Sequence, residues 1–498
     1  MRVLMLGWEF PPFIAGGLGV ACYGLTRALD SLGHQVTFVL PKPVDRSQSS
    51  HVRLLSPEAL AARRLRDISA SARSVSAPSV SNVSSEATDS MAELASHGFK
   101  HAVFRGVPAA FASPYPGHDL SDKTNWVSLT DVAAPTAPEV DATIDDPGAR
   151  AAAQQIAELL AAISPAANGS GNGSSLQNGN GAYGFDLVGD AERYARLVVS
   201  LTRGDEFDVI HAHDWLTFPA GVMLSRVSGK PLLVHVHSTE FDRAGNNVNQ
   251  RVYDIERLGM HAADRVLAVS QLTKNICERR YGVSGDKIDV VYNGIERETQ
   301  QPAVGADIQS GDKIVLFLGR ITMQKGPEYF IAAAKRVLEK VKDVKFVIAG
   351  SGDMALRMVE LAANMGIGHK VLFTGFLRGK DVERIYQMAD CYVMPSVSEP
   401  FGLAALEAIS HDVPVIVSKT SGVSEVLSHV LKVDFWDIDE MANKIIAVLR
   451  HPPLGATLRE HGSFELQRLT WSGAAERCVA AYAGAIDGRK QSAALQPA

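Results

Sequence analysis

The stretch SEPFGLAALEA, residues 398–408, sets two carboxylates, Glu399 and Glu407, on either side of a proline and glycine turn that leads into an apolar segment. Pro400 biases Glu399 towards an extended conformation and suits a first helical turn, so Glu399 is expected on the entering loop and Glu407 on the helix. The amides of Phe401, Gly402 and Leu403 are then expected to face outward. A helix start carries partial positive charge and unpaired N–H donors, and so can hold a phosphate between two carboxylates suited to binding hydroxyl groups. Hydroxyls on both sides of a phosphate describe a sugar nucleotide.

Around this stretch run short apolar segments, KIVLFLG, KFVIAG, VLFTG, CYVMPS and PVIVS, each followed by a helical pattern such as 327–340 or 381–388. That alternation predicts a doubly wound domain over 312–470. The beginning of the chain has the same grammar: RVLMLG, the glycine loop PPFIAGGLG, a helical pattern over 20–32, then QVTFVLP. Four later runs, FDVIHAHDW, LLVHVHS, DRVLAVS and IDVVYNG, complete a first mostly parallel sheet within 1–295. The expected class is therefore α/β, with two doubly wound Rossmann-like domains facing an interdomain cleft and a C-terminal helix and tail at 471–498. Between the halves of the first domain, at about 65–185, Ser, Ala, Asn and Gly dominate, as in NGSGNGSSLQNGNG. Such composition cannot bury enough apolar surface to offset chain entropy, so a largely disordered insertion is expected, with a short helix at 151–163.

The chain of 498 residues is 46% hydrophobic and 21% charged, ordinary for a soluble globular protein. A net charge of -6 and a pI of about 6.2 leave no electrostatic footprint for nucleic acid. Neither a membrane span nor a signal peptide is expected, and the reading is cytoplasmic. Cys22, Cys277, Cys391 and Cys478 are far apart with no C-x-x-C pair, which argues against a zinc knuckle and a disulfide framework.

In GRITMQKG, Arg320 and Lys325 lie between a buried strand and a helix, where both cations can reach the mouth of the sheet. Two fixed cations stabilise a departing diphosphate more in the transition state than in the ground state, and could replace a metal. A solvated pair at a strand end is the plainer alternative. Gly16, Gly17 and Gly19 let backbone approach a phosphate, although a tight turn alone would also use them. Their spacing is not a dinucleotide fingerprint, and LPKPVDR after the second strand offers no convincing acidic ribose ligand, which disfavours a nicotinamide enzyme. His211 and His213 in HAHDW, and His235 and His237 in HVHS, form two pairs, each on one side of its strand. Such pairs can ligate metal, a single histidine at a strand end can serve a sugar site, and buried histidines can simply satisfy one another. Asp437 with Glu440 before an apolar run reads as a helix cap and not as a metal-binding triplet.

GGLG, HAHDW, HVHST, GRITMQKG and SEPFGLAALEA occur in the order and spacing found in retaining glycosyltransferases of the two-Rossmann-domain (GT-B) type. The chain resembles family 4 and the bacterial and archaeal glycogen synthases in particular, from Met1 to about Trp471 outside the insertion. The resemblance implies that Arg320 and Lys325 grip a diphosphate, Glu399 binds donor sugar hydroxyls, Glu407 binds the ribose, and Gly402 and Leu403 offer amides to the phosphate. It implies that Gly16 and Gly17 line the nucleotide sugar, that His237 lies beside the donor sugar, that Asp214 is an acceptor-side acid, and that Phe376 borders the base. Many glycogen synthases carry a lysine where this chain has Ile14, a departure that family 4 tolerates. The expectation is a hexosyltransferase, metal-independent and without cofactor, moving glucose from an ADP- or UDP-sugar to an α-1,4-glucan. The alternatives are another family-4 donor or acceptor of mannosyl, sucrose or trehalose type, a histidine-metal hydrolase, or a silent sugar-nucleotide sensor.

Overall fold

The computed structural model describes residues 1–11, 16–41, 102–106, 187–296 and 311–494, with the backbone course alone at 102–106 and 492–494. Two parallel sheets organise it. The first has seven strands in the order β3-β2-β1-β4-β5-β6-β7 and the second six, β10-β9-β8-β11-β12-β13. In the first these are β1 Arg2–Leu6, β2 Gln35–Leu40, β3 Ala102–Gly106, β4 Val209–His213, β5 Leu232–Val236, β6 Arg265–Ala268 and β7 Ile288–Val290. In the second they are β8 Lys313–Leu318, β9 Val344–Ala349, β10 Val371–Gly375, β11 Cys391–Met394, β12 Val415–Ser418 and β13 Leu431–Val433.

The near-continuous Val, Ile and Leu runs are the signature of strands covered on both faces by helices. Val209, Ile210 and Ala212 are fully buried, as are Val315 and Leu316. Each sheet reverses its direction of growth once: β4 pairs with β1, at Met5 opposite His211, and β11 pairs with β8, at Cys391 opposite Val315. The carboxyl ends of strands flanking such a reversal form the crevice where open α/β sheets bind ligands.

Strand β3 lies inside the span expected to be a disordered insertion, and it pairs in register with β2 from Val36–Ala102 to Leu40–Gly106. That expectation is corrected to this extent: the span contributes an edge strand to the sheet. The expected helix at 151–163, the Ser- and Asn-rich tracts and Ile14 lie outside the described residues. The short strand β13 was not anticipated either, since LKV is too brief to show a period.

The chain crosses between the sheets twice. Ile295 donates its amide to the Leu469 carbonyl at 2.9 Å, which ties the two crossings together. The last helix, Trp471–Ala494, then lies on the first sheet, where Trp471, Cys478 and Tyr482 are buried against the helix Gly17–Ser31 and Phe38. Gly24 allows this contact, since a methyl group there would sit 2.2 Å from the Trp471 ring. Asp437 accepts the Glu440 amide at the start of the helix Ile438–Arg450, as its spacing predicted.

Candidate active site

Beyond β8, residues Met323–Lys325 form a short turn closed by Gly326 at a φ of 63°. A methyl group at Gly326 would come within 2.3 Å of the Pro395 carbonyl oxygen, so glycine lets this turn press against the end of β11. The buried Gln324 holds the contact. Its carbonyl accepts the Val397 amide at 2.9 Å, while its side-chain oxygen accepts Arg320 Nη2 at 3.3 Å. Lys325 Nζ thereby reaches Glu399 Oε2 at 2.6 Å, with the Lys325 and Glu399 side chains 20% and 9% exposed. The Ser396 hydroxyl donates to the same oxygen at 3.1 Å. The Glu399 backbone is fastened on one edge, its amide to the Thr420 carbonyl at 3.0 Å and its carbonyl to the Gly422 amide at 2.9 Å.

The following helix spans Leu403–Ser410. Pro400 therefore stands ahead of the helix and not in its first turn, a correction whose cause is Gly402. Its φ of 114° lies in the left-handed region and swings the chain between the proline and the helix. Among the described residues, no acceptor is recorded for the Gly402 and Leu403 amides. Glu407 is half-buried and its Oε2 lies 3.0 Å from the Tyr386 hydroxyl. Burial pushes the Glu407 carboxyl above its usual range, and the Tyr386 hydrogen bond pulls it partly back. Phe376 follows β10 with 42% of its surface exposed, and the Arg378 guanidinium lies 5.3 Å over its ring.

The first domain presents the opposite wall. Gly16 caps the helix Gly17–Ser31, and a methyl group at Gly17 would lie 3.7 Å from Leu403 Cδ1, so the glycine turn abuts the start of the helix Leu403–Ser410. Asp214, just after β4, takes a φ of 58°, a conformation that Asp tolerates better than most residues. Its Oδ1 accepts the amides of His237 at 2.7 Å and Ser238 at 3.3 Å, which ties the ends of β4 and β5 together. Burial raises the Asp214 carboxyl to about 7 against the pull of Arg243 and these amides.

His211, His213, His235 and His237 stack as one block. His213 opposes His235 in the β4 and β5 register, and ring centroids within each strand pair are 4.2 Å apart. His213 Nδ1 lies 2.9 Å from His237 Nε2, His211 Nε2 lies 3.2 Å from His235 Nδ1, and His211 Nδ1 lies 2.6 Å from the Tyr482 hydroxyl. Burial lowers the pKa of all four, that of His237 to about 3. His211, His213 and His235 could offer three metal-ligand atoms within 4.8 Å of one another, but these side chains are at most 2% exposed. A metal held there would have no open position facing a substrate.

The structure thus gathers Arg320, Lys325, Glu399, Gly402, Leu403 and Glu407 on one wall, brings Gly17 to it, and links Asp214 to His237. It also reveals Gln324, Ser396 and Tyr386, and the hydrogen bond that the Ser398 hydroxyl donates to Asp242 Oδ1, all of which sequence reasoning missed. Thr239 three residues before Asp242 has the spacing of a capping box and would have flagged that acid; Tyr386 carried no comparable signal.

Three family models match the chain in succession: Starch synthase catalytic domain over residues 2–125, Glycosyltransferase Family 4 over 183–299, and Glycosyl transferases group 1 over 301–463. An uncharacterized glycosyltransferase of Methanocaldococcus jannaschii is 37% identical over 240 residues, which is 45% of this chain and 61% of that protein. A glycogen synthase of Mycobacterium tuberculosis is 23% identical over 502 residues, covering 99% of this chain and 96% of its own. The sucrose-phosphate synthase of Thermosynechococcus elongatus superposes with a TM-score of 0.64 at 17% identity, over 98% of this chain and 100% of that one. Among the described residues no helix is long and apolar enough to cross a membrane.

Proposed function

We propose that this chain, a glycosyltransferase of the GT-B type that is family-4 and glycogen synthase-like, is a retaining hexosyltransferase. It moves glucose from an ADP- or UDP-sugar to an α-1,4-glucan. The observation that carries this reading is the convergence of both strand reversals on one set of groups. The crevice beside β8 and β11 holds Arg320, Lys325 and Glu399, and the one beside β1 and β4 holds the glycine turn and Asp214. The two meet at Gly17 and Leu403.

In this reading the diphosphate lies between Arg320, Lys325 and the amides of Gly402 and Leu403, where its charge grows as the glycosidic bond breaks. Glu399 receives sugar hydroxyls and Glu407 the ribose, with Phe376 at the base and Gly16 lining the donor. The Lys325–Glu399 pair offsets the cation before the donor arrives, so binding exchanges one partner for another without exposing a bare charge. His237, kept neutral by burial, supports the sugar without adding a positive charge beside its developing cation. Attack comes from the face the diphosphate leaves, with a departing phosphate oxygen accepting the acceptor proton, and the cations perform the electrostatic work without a metal. Asp214 serves the acceptor side. The four buried free thiols suit a reducing cytoplasm.

The test is a panel of nucleotide sugars against glycogen, maltose, sugar phosphates and water. Nucleotide release that requires a glucan supports the assignment. Release only with a small phosphorylated acceptor would redirect it to another family-4 transferase.

A further inference from the structure

The loops that carry His237 and Glu399 come from different domains, yet one hydrogen bond joins them: the Ser398 hydroxyl donates to Asp242 Oδ1 at 2.6 Å. Asp242 follows His237 on the segment after β5, and Ser398 immediately precedes Glu399. The acid is rigidly held. It is 2% exposed, and its Oδ2 accepts both the amide and the hydroxyl of the fully buried Thr239 at 2.7 Å. On the other side, the Ser398 neighbourhood is anchored to the turn that carries Lys325, since the Gln324 carbonyl accepts the Val397 amide. A second polar tie between the sheet-bearing halves includes Tyr292, close to the chain crossing: Glu425 accepts the Gln271 and Leu272 amides at 2.8 and 2.7 Å and the Tyr292 hydroxyl at 3.1 Å. A tie at the crossing can persist through a hinge motion, whereas one between the two site loops cannot.

We propose that Asp242 is a positioning residue that, through Ser398, holds the Glu399 loop in its sugar-binding geometry when the cleft is closed. The proposal rests on the transferase reading above. Opening the cleft breaks the bond, releases Ser398 and loosens the carboxylate beside it; closing the cleft restores both. In the transferase reading diphosphate affinity rests on Arg320, Lys325, Glu407 and the helix amides, and the Ser398–Asp242 hydrogen bond includes none of them. Its loss should therefore appear in turnover and not in nucleotide binding, because a misplaced reacting group raises the barrier without weakening remote contacts.

The experiment uses the full chain carrying Ser398→Ala, Asp242→Ala, both together, or Ser398→Thr. Each protein is followed by donor turnover with the best acceptor, by calorimetry with UDP and ADP, and by hydrogen exchange of the amides of residues 397–399. Either single substitution should lower kcat by about tenfold, leave diphosphate Kd within about twofold and speed exchange of that segment, scales set by the loss of one hydrogen bond to a charged group. The double variant should be no slower than the slower single, and Ser398→Thr, which keeps a hydroxyl, should recover most of the rate. Unchanged exchange in Ser398→Ala, undiminished kcat, or losses that multiply in the double variant would overturn the proposal. A wild-type protein that turns over no nucleotide sugar would refute the transferase reading, while the exchange comparison would still decide whether Asp242 holds the loop.

Discussion

Acidification from about pH 8 to about pH 5.5 should destabilise the first domain by about 3–4 kcal/mol, because its four stacked histidines must stay neutral while folded. Burial depresses the pKa of His211, His213, His235 and His237. A histidine whose folded pKa is depressed contributes stability that is present above its unfolded value, about 6.5, and lost as the pH falls below it. One unit below that value each group costs about 1.4 kcal/mol, so the block costs about 5–6 kcal/mol. Asp214 works in the opposite sense. Its carboxyl, raised to about 7 from 3.8, binds its proton more tightly in the folded state, so it adds stability as the pH falls through this window. That returns about 2 kcal/mol by about pH 5.5, Glu256, also raised by burial, acts in the same sense, and the histidine cost is still a large share of the roughly 5–15 kcal/mol that holds a typical domain. Urea denaturation across the pH series would measure the loss, and histidine Cε1 resonances of the folded protein would report protonation directly. Stability that is flat or rising on acidification, or four Cε1 shifts that titrate near 6.5 in the folded state, would refute the reasoning.

Lys325→Ala should lower turnover by about 10²–10³, the scale of one lost electrostatic stabiliser, while EDTA leaves the wild-type rate intact; loss of activity in EDTA restored by a divalent ion would sink the two-cation site. Glu399→Gln should reduce turnover far more than nucleoside diphosphate affinity, whereas Glu407→Gln should weaken the diphosphate by about 1.5–3 kcal/mol. Equal affinity losses in calorimetry would refute that division. Gly24→Ala drives a methyl group into the Trp471 ring, so it should cost about 1–3 kcal/mol in chemical denaturation, and an unchanged midpoint would contradict the packing of the last helix. Replacing the Ser- and Asn-rich tracts of about 65–185 with short linkers should preserve folding and donor turnover if 102–106 is retained. Removal of that segment too strips β3 from the sheet edge and should lower the urea midpoint.

The sheet-forming runs, the two doubly wound halves and the separate pairs Arg320 with Lys325 and Glu399 with Glu407 were legible because each depends on residues near one another in the chain. A buried strand shows itself as four to six consecutive apolar residues, and Gly402 declared a turn that only glycine enters easily. Pro400 misled by the same local logic: its preference for a first helical turn was real, but the left-handed Gly402 placed the helix start beyond it. Strand β3 escaped because the surrounding composition outweighed five residues, whose pairing with β2 is a property of the sheet.

What no local pattern could supply is which distant side chains meet. Ser398 reaches Asp242 across 156 positions of sequence, with one crossing between the domains, and His211 reaches Tyr482 across 271, with two. The sequence by itself determined most of the elements and the chemical groups, since periodicity and turn chemistry act over a few residues. Only the tertiary structure decided that the histidines turn inward as one buried block and that Ser398, beside Glu399, meets Asp242 of the other domain, because burial and encounter follow from the packing of the whole chain.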